Sequence, residues 1–138
     1  MRRVFALLFA LSAVAGAVLS GRFARRYVVE GRSMLQAFRP GDKLVAEGIS
    51  YRMRAPRIGE AVVVHWPNSL VRPPGTPALD LKRIAAGPGA EVTVVGQPDF
   101  LGENEWFLVG DNLDESTDSR ELGPVKTRDL VGRVWFKY

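Results

Sequence analysis

Cysteine is absent from this chain and histidine occurs only once, so two common sources of catalytic and metal-binding groups are missing. Without cysteine, the protein cannot form disulfides, use a catalytic thiol or bind a metal through thiolates. A metal site built from several histidines is excluded as well. The usual bases that activate a nucleophilic serine are therefore almost missing, since His65 is the one histidine.

Acidic residues are absent from the first 26 positions, which hold five arginines: Arg2, Arg3, Arg22, Arg25 and Arg26. The rest of the chain holds 14 of the 19 basic residues and all 15 acidic residues, so it is nearly neutral. The net charge of +4 thus comes from the N-terminal region alone. Arginines that flank an apolar segment fit lipid headgroups better than nucleic-acid phosphates.

Between these arginines, residues 4–21 carry no charge. As a helix this segment would measure about 27 Å, against about 30 Å for the bilayer core. We expect residues 1–26 to form a retained transmembrane anchor with its basic flank. A cleaved signal peptide is the alternative, because Ala13–Ala15 has the small-x-small form of a cleavage site. Arginines on both flanks leave the orientation open.

Long helical periodicity is absent after Arg26, where short β-rich runs alternate with Gly/Pro turns. We therefore predict one mostly β domain over residues 27–138. A loop is predicted at residues 67–77, which hold four prolines. Seven strands are predicted, within residues 26–31, 43–48, 60–66, 79–85, 90–96, 105–111 and 130–138.

Three residues are candidates for nucleophilic chemistry. Ser33 lies in "GRSMLQAFRPGD", next to a Pro-Gly-Asp turn. His65 follows three valines, where a structural role is the commoner one. Lys82 lies between apolar residues in "ALDLKRIAAG". A lysine accepts a proton only when burial brings its pKa well below about 10.4. Alternatively, Lys82 is an edge-strand lysine that faces water.

A polar stretch, "VGDNLDESTDSRELGPV", follows at residues 109–125. By itself it is typical of a loop with turn chemistry. Its acidic residues do not bind calcium in the EF-hand manner, because the glycine and the terminal glutamate are misplaced. The serines and charged residues of this loop remain candidates for a supporting role.

Four stretches behind the apolar segment together resemble the type I signal (leader) peptidase family. Each is weak alone, but their order and spacing agree along nearly the whole chain. They are "GRSM…PGD" around Ser33, "RIGEAVVV" at Arg57–Val64, "LKRIAAGPGAEV" at Leu81–Val92 and "GDNLDESTDSRELGPV" at Gly110–Val125.

The resemblance implies a Ser-Lys dyad without a cofactor or a metal. Ser33 would be the nucleophile and Lys82 the general base. The hydroxyl of Ser116 would orient the Lys82 amine, while Asp118 and Arg120 would pair and hold their loop. The implied fold is a coiled, mostly antiparallel β-sheet domain.

The implied function is that of a membrane-bound serine endopeptidase that cleaves signal peptides from exported preproteins. The signal peptide would bind as an added β-strand. A single-pass anchor in the plasma membrane would place Arg2 and Arg3 in the cytoplasm and the catalytic domain on the outer face. One alternative is a dedicated maturation protease for one exported protein or a conjugation system. Another is an inactive module that binds peptides.

Three departures from the family pattern stand out. Gln36 and Ala37 replace a proline and a threonine after the nucleophile. Gly31 replaces a serine or threonine that assists the oxyanion hole in many relatives. Only residues 93–109 separate the last two stretches, which indicates a minimal core. If the enzyme is active, we expect proline at position 36 to be tolerated; if the site has drifted to peptide binding, we expect it to destabilise the turn.

Overall fold

The computed structural model describes residues 23–138, together with Leu8 and residues 10–13. Most of the predicted anchor, including the rest of the Ala13–Ala15 site, lies outside the described residues. In the described ranges, no helix is both long and apolar enough to cross a bilayer. The predicted β domain, residues 27–138, lies wholly within the described residues.

Nine strands form the domain, and its helical segments are single turns. The helices are α1 (Ser50–Met53) and α2 (Ser119–Leu122), with 3-10 turns at Leu113–Glu115 and Thr127–Asp129. The strands are β1 (Ala24–Val28), β2 (Lys43–Glu47), β3 (Ala61–His65), β4 (Leu79–Ala86), β5 (Glu91–Val94), β6 (Gln97–Phe100), β7 (Glu105–Val109), β8 (Val125–Lys126) and β9 (Leu130–Lys137).

Seven of these strands form one sheet in the order β1-β2-β9-β3-β4-β7-β8, in which every neighbouring pair is antiparallel. Register shifts interrupt three pairings, one each in β2, β3 and β4. Such shifts bend a sheet and increase its twist. The mostly β, curled antiparallel fold predicted from the sequence is confirmed.

The centre of the sheet is buried on both faces. In β3, Val62, Val63 and Val64 are 0%, 3% and 0% exposed. Val62 and Val64 belong to the larger core with Trp66 and Ile84, whereas Val63 packs in a second core on the opposite face. Consecutive β-branched residues favour a strand, and burial on both faces explains why polar residues do not alternate with them.

All seven predicted strands are present, and two more are found. β5 and β6 form a separate two-stranded hairpin, whose turn has positive φ at Val95 (48°) and Gly96 (75°). Two consecutive positive φ values are typical of the tight turn that matches the twist of a hairpin. β6 was missed because it contains Pro98, and β8 because it has two residues. The proline loop contains no strand or helix.

The backbone after Ser33 differs from the turn that a proline would favour. Gln36 has φ of +84°, a region that proline cannot adopt because its ring holds φ near −65°. This positive φ is the backbone conformation expected if the site has drifted from catalysis to peptide binding. The segment is nevertheless ordered by backbone bonds from Leu35 N to Arg32 O (3.1 Å) and from Phe38 N to Met34 O (2.8 Å). Gln36 therefore marks a different turn, whose effect on chemistry depends on where Ser33 lies.

We predict that Gln36→Pro destabilises the domain by about 1–3 kcal/mol, since the native φ is unavailable to proline. Gln36→Gly should remain within about 1 kcal/mol of the wild type, because glycine adopts positive φ without strain. Urea unfolding of the two variants and the wild type measures the difference. Equal stability of the proline and glycine variants would contradict the positive φ at this residue.

Candidate active site

Ser33 lies in a tight turn between β1 and β2. Gly31, two residues earlier, has φ of +72°, where an L-residue such as serine would be strained. Gly31 thus gives the turn a backbone conformation that the serine or threonine of the family pattern would adopt only with strain. Met34 is 2% exposed and holds the turn against the domain. Among residues 23–138, no acceptor is bonded to the backbone N–H of Ser33.

Asn112 fixes the Ser33 turn from the loop after β7. Its backbone N–H donates to the carbonyl of Ser33 at 2.8 Å. Its side-chain amide donates to the carbonyl of Arg32 at 3.0 Å. Because both bonds hold backbone atoms next to the nucleophile candidate, the position of Ser33 depends on the loop of residues 110–118. The sequence offered Asn112 only as a polar loop residue.

Lys82 lies on β4, opposite Val62 of β3, and is 1% exposed. Its Nζ donates to the Oγ of Ser33 at 3.0 Å across 49 residues of sequence. The alternative of an edge lysine that faces water is therefore wrong. β4 lies between β3 and β7 in the sheet. Period-two alternation turns Lys82 to the same face as Ile84, which is 1% exposed, in the apolar interior.

Within the described residues, no hydrogen bond joins Ser116 to Lys82. Its hydroxyl donates to Oδ2 of Asp118 at 2.7 Å. Within the described residues, the Lys82 amine donates to Ser33 Oγ, to Asp80 Oδ2 and to the carbonyl of Leu81. The hydrogen bond from Ser116 to Lys82 that the family resemblance implies is therefore absent from this arrangement, and the role of Ser116 stays a prediction.

Asp118 and Arg120 form the ion pair that the resemblance implies. Arg120 Nε donates to Asp118 Oδ1 at 2.9 Å, and its Nη2 donates to Oδ2 at 3.0 Å. The same Nη2 donates to the carbonyls of Leu113 (2.9 Å) and Ser116 (3.3 Å). The pair thus closes the loop of residues 110–118 on itself.

The Asp118 carboxylate is fully buried and hydrogen-bonded on both oxygens. Besides the side chains of Arg120 and Ser116, the backbone N–H of Gly110 donates to Oδ2 at 3.0 Å. Burial alone would raise the pKa of Asp118. The hydrogen bonds from Arg120, Gly110 and Ser116 outweigh burial and lower this pKa below its ordinary value. Asp118 is therefore a charged anchor of the loop at neutral pH.

Gly110 lies where the two functional loops meet. A Cβ at this position would lie 2.2 Å from Ser116 Oγ and 2.6 Å from the carbonyl oxygen of Ser33. Both distances are far below ordinary contact, so only glycine fits. The close approach of the Ser33 turn to the loop of residues 110–118 thus depends on the missing side chain of Gly110.

Asp80 is a site residue that sequence reasoning missed. Its Oδ2 accepts the Lys82 amine at 2.6 Å, and its side chain is 12% exposed. The signal was present in the spacing, since residues i and i+2 of a strand share a face. His65, by contrast, is exposed at the end of β3, and within residues 23–138 no hydrogen bond joins it to Ser33 or Lys82.

An open cleft of about 280 Å³ leads to Ser33 and Lys82. It is bordered by Glu30 and Arg32 on one side and by the Pro73–Pro77 segment of the proline loop on another. A second cleft of about 270 Å³ adjoins it, and several of its lining residues are aliphatic: Val28, Val29, Leu44, Val63, Leu79 and Leu81. The two share Glu30, Pro77 and Asp80, so an extended ligand could occupy both.

Comparisons with known proteins agree with this architecture. A family model described as signal peptidase, peptidase S26, matches residues 1–98 and 96–138. Probable thylakoidal processing peptidase 2 of Arabidopsis thaliana is 30% identical over 135 residues, which cover 80% of this chain and 36% of that protein. Probable signal peptidase I-1 of Synechocystis sp. is 29% identical over an aligned length of 143 residues, gaps included. The alignment covers 83% of this chain and 73% of that protein.

Signal peptidase I of Leptolyngbya laminosa is 28% identical over an aligned length of 145 residues, gaps included. The alignment covers 83% of this chain and 70% of that protein. The matches define the class of the chain as a peptidase, and hence a hydrolase. The chain belongs to the signal peptidase family, peptidase S26. It spans only about a third of the plant relative but nearly three quarters of the cyanobacterial one.

We predict that Gly110→Ala separates the two loops and destabilises the domain by about 1–3 kcal/mol, the usual cost of overpacking. Gly102→Ala is the matched control, because a Cβ there would meet Glu105 only at 3.4 Å, an ordinary contact. Urea unfolding of both variants measures the cost. A Gly110→Ala domain as stable as the Gly102→Ala domain would show that the loops can move apart freely.

Asp118→Asn should lower the free energy of unfolding at neutral pH by about 1.5–3 kcal/mol, the range for hydrogen bonds to charged groups. The folded pKa of Asp118 lies below its ordinary value, so its contribution is present above about pH 4 and disappears as pH falls through the folded pKa. Chemical unfolding at several pH values should therefore show the variant and wild type converging in acid. A constant difference would mean that the carboxylate charge is not responsible.

Proposed function

We propose that this chain is a membrane-bound serine endopeptidase that removes signal peptides from exported preproteins by a Ser33-Lys82 dyad. The observation that carries the proposal is the 3.0 Å contact between Lys82 Nζ and Ser33 Oγ, with the lysine buried. A buried amine next to a serine hydroxyl can act as the general base that activates a nucleophile. Membership of a peptidase family supports the same chemistry.

In the proposed reaction, the neutral Lys82 amine accepts the proton of Ser33 Oγ as the oxygen attacks the scissile carbonyl. The resulting oxyanion would be stabilised by the free backbone N–H of Ser33. Lys82 then passes the proton to the leaving amine, and the mature protein departs. The acyl group remains as an ester on Ser33 until Lys82 activates a water molecule that hydrolyses it. Ser116, Asp118 and Arg120 would keep the surrounding loop in position.

The edge of β4 supports binding of the substrate as an added strand. β7 pairs only with Arg83–Ala86, so among the described strands Leu79–Lys82 pair with β3 alone. Trp66 N donates to Ala78 O, and Ile84 N donates to Glu60 O, across β3 and β4. By the antiparallel alternation, the N–H and C=O of Leu81 point to the open side of the strand, where the N–H donates to Asp80 Oδ1 and the C=O accepts from the Lys82 amine until a substrate strand competes for them. An extended peptide can pair with these groups and place small side chains in the aliphatic cleft.

We also propose that residues 1–26 anchor the chain in the plasma membrane and that residues 27–138 form the catalytic domain on its outer face. The uncharged segment flanked by arginines supports the anchor. A dedicated maturation protease with the same dyad is the second candidate. Only the hairpin of β5 and β6 lies between β4 and β7, and the family resemblance associates such a small core with dedicated maturation proteases.

The test uses the full chain in carbonate-washed membranes, incubated with a panel of exported preproteins. Mass spectrometry of the products locates the cut. We expect the wild type to cleave, whereas Ser33→Ala and Lys82→Met should each lose on the order of 10⁴-fold in rate, because the two groups act as one unit. The double variant should be little worse than either single variant.

His65→Ala is the control for an alternative base and should keep near-normal activity. Thermal melts show whether the inactive variants remain folded. Cleavage that survives Lys82→Met but is lost in His65→Ala would overturn the dyad. Activity found only in the soluble wash would overturn the anchor. Cleavage of one preprotein in the panel, rather than of most, would favour the dedicated protease.

A further inference from the structure

Asp80 is placed to act on Lys82 from the same strand. Asp80 and Lys82 are two residues apart on β4, so their side chains lie on one face. Oδ2 of Asp80 accepts the Lys82 amine at 2.6 Å, which is shorter than the 3.0 Å contact between that amine and Ser33. The amine therefore lies between a hydroxyl and a carboxylate.

The Asp80 carboxylate is itself fixed by two other donors. Trp66, which is fully buried, donates its Nε1 to Oδ2 at 3.3 Å. The backbone N–H of Leu81 donates to Oδ1 at 2.8 Å. A strand added at Leu81 would compete for that N–H but would leave Oδ2 on the amine. A carboxylate held in this way sets both the direction and the charge environment of Lys82.

Other charged groups around Lys82 do not make this contact. Among the described residues, the other charged side chains that line the cleft at Lys82 are Glu30, Arg32 and Glu115. Glu115 is bonded to Arg32 and Asn112, and Asp118 of the same loop is bonded to Ser116 and Arg120. Asp80 is the carboxylate in direct contact with the amine.

We propose that Asp80 is a positioning residue of the site, which holds the Lys82 amine against Ser33 and stabilises the ammonium that forms when Ser33 attacks. The proposal rests on the proposed function, since it assumes that Lys82 takes the serine proton. It gives Asp80 the orienting task that the resemblance assigns to Ser116. Ser33, Lys82 and Asp80 then form one chain of hydrogen bonds through the Lys82 amine.

A negative charge beside the amine has two opposite effects on the rate. A carboxylate next to an amine favours the protonated form of the amine in general. It also stabilises the positive charge that develops on Lys82 in the transition state. Removing the charge should therefore lower the maximal rate and move the rising limb of the pH profile to lower pH. A side chain that only supports the fold would not move that limb.

The experiment compares kcat and KM from neutral to alkaline pH for wild type, Asp80→Asn and Asp80→Glu, with one cleaved preprotein. In Asp80→Asn we expect the rising limb to move down by about one pH unit or more, since an adjacent opposite charge shifts a titration by 1–3 units. We expect the plateau of kcat to fall on the order of 10–100-fold, with KM changed less than about threefold. Asp80→Glu, which keeps the charge, should keep the limb near its wild-type pH.

Glu105→Gln is the matched control, because it removes the same charge from an ion pair with Lys126 on β7 and β8. Its profile should superimpose on that of the wild type. An Asp80→Asn profile that also superimposes, or that falls without moving, overturns the role of Asp80. If Asp80→Asn does not fold in a thermal melt, Asp80→Ser replaces it as the uncharged variant: a lowered plateau with the limb moved to lower pH supports the proposal, and an unmoved limb overturns it.

The outcome for the proposed function is read separately from the same assay. A wild type without activity overturns the proposed function, and the role of Asp80 falls with it. Active wild type and inactive Ser33→Ala, together with an unchanged Asp80→Asn, overturn only the role of Asp80.

Discussion

A lysine amine buried in the apolar interior of a sheet must have polar partners, and the rest of the site follows from this requirement. Lys82 is 1% exposed, and its amine donates to Ser33, Asp80 and the carbonyl of Leu81. An unpartnered charge at this depth would cost far more than a domain of this size can supply. The Ser33 turn therefore has to lie against β4, and Asp80 has to remain on the same face.

The buried carboxylate of Asp118 organises the loop after β7. Asp118 collects donors from Arg120, Ser116 and the Gly110 backbone, and this holds the loop after β7 closed. That loop in turn fixes the Ser33 turn through Asn112. Removing one member of a buried polar network lowers the free energy of unfolding, because its hydrogen-bond partners are left unsatisfied. The Lys82 amine and the Asp118 carboxylate are thus linked through the Ser33 turn. Both limit how far the nucleophile candidate can move.

The different turn at Gln36 does not displace the dyad. Its positive φ excludes the proline that the family resemblance leads one to expect there, yet Ser33 Oγ lies 3.0 Å from the Lys82 amine. A proline is one means of restricting a turn, and backbone hydrogen bonds with a buried methionine are another. Met34 and Asn112 restrict the turn here. The departure at Gln36 therefore argues less strongly for an inactive module than the sequence alone suggested.

The sequence by itself determined the β class and the positions of seven strands, and it singled out Ser33, Lys82, Asp118 and Arg120 as candidates, because local pattern and motif order carry that information. Tertiary structure alone decided that Lys82 is buried, that Ser116 donates to Asp118, and that Asp80 accepts a hydrogen bond from the Lys82 amine. Strand pairing sets which faces are buried, and hydrogen-bond partners depend on side chains from distant segments. The order of residues along the chain shows neither the strand pairing nor these distant partners.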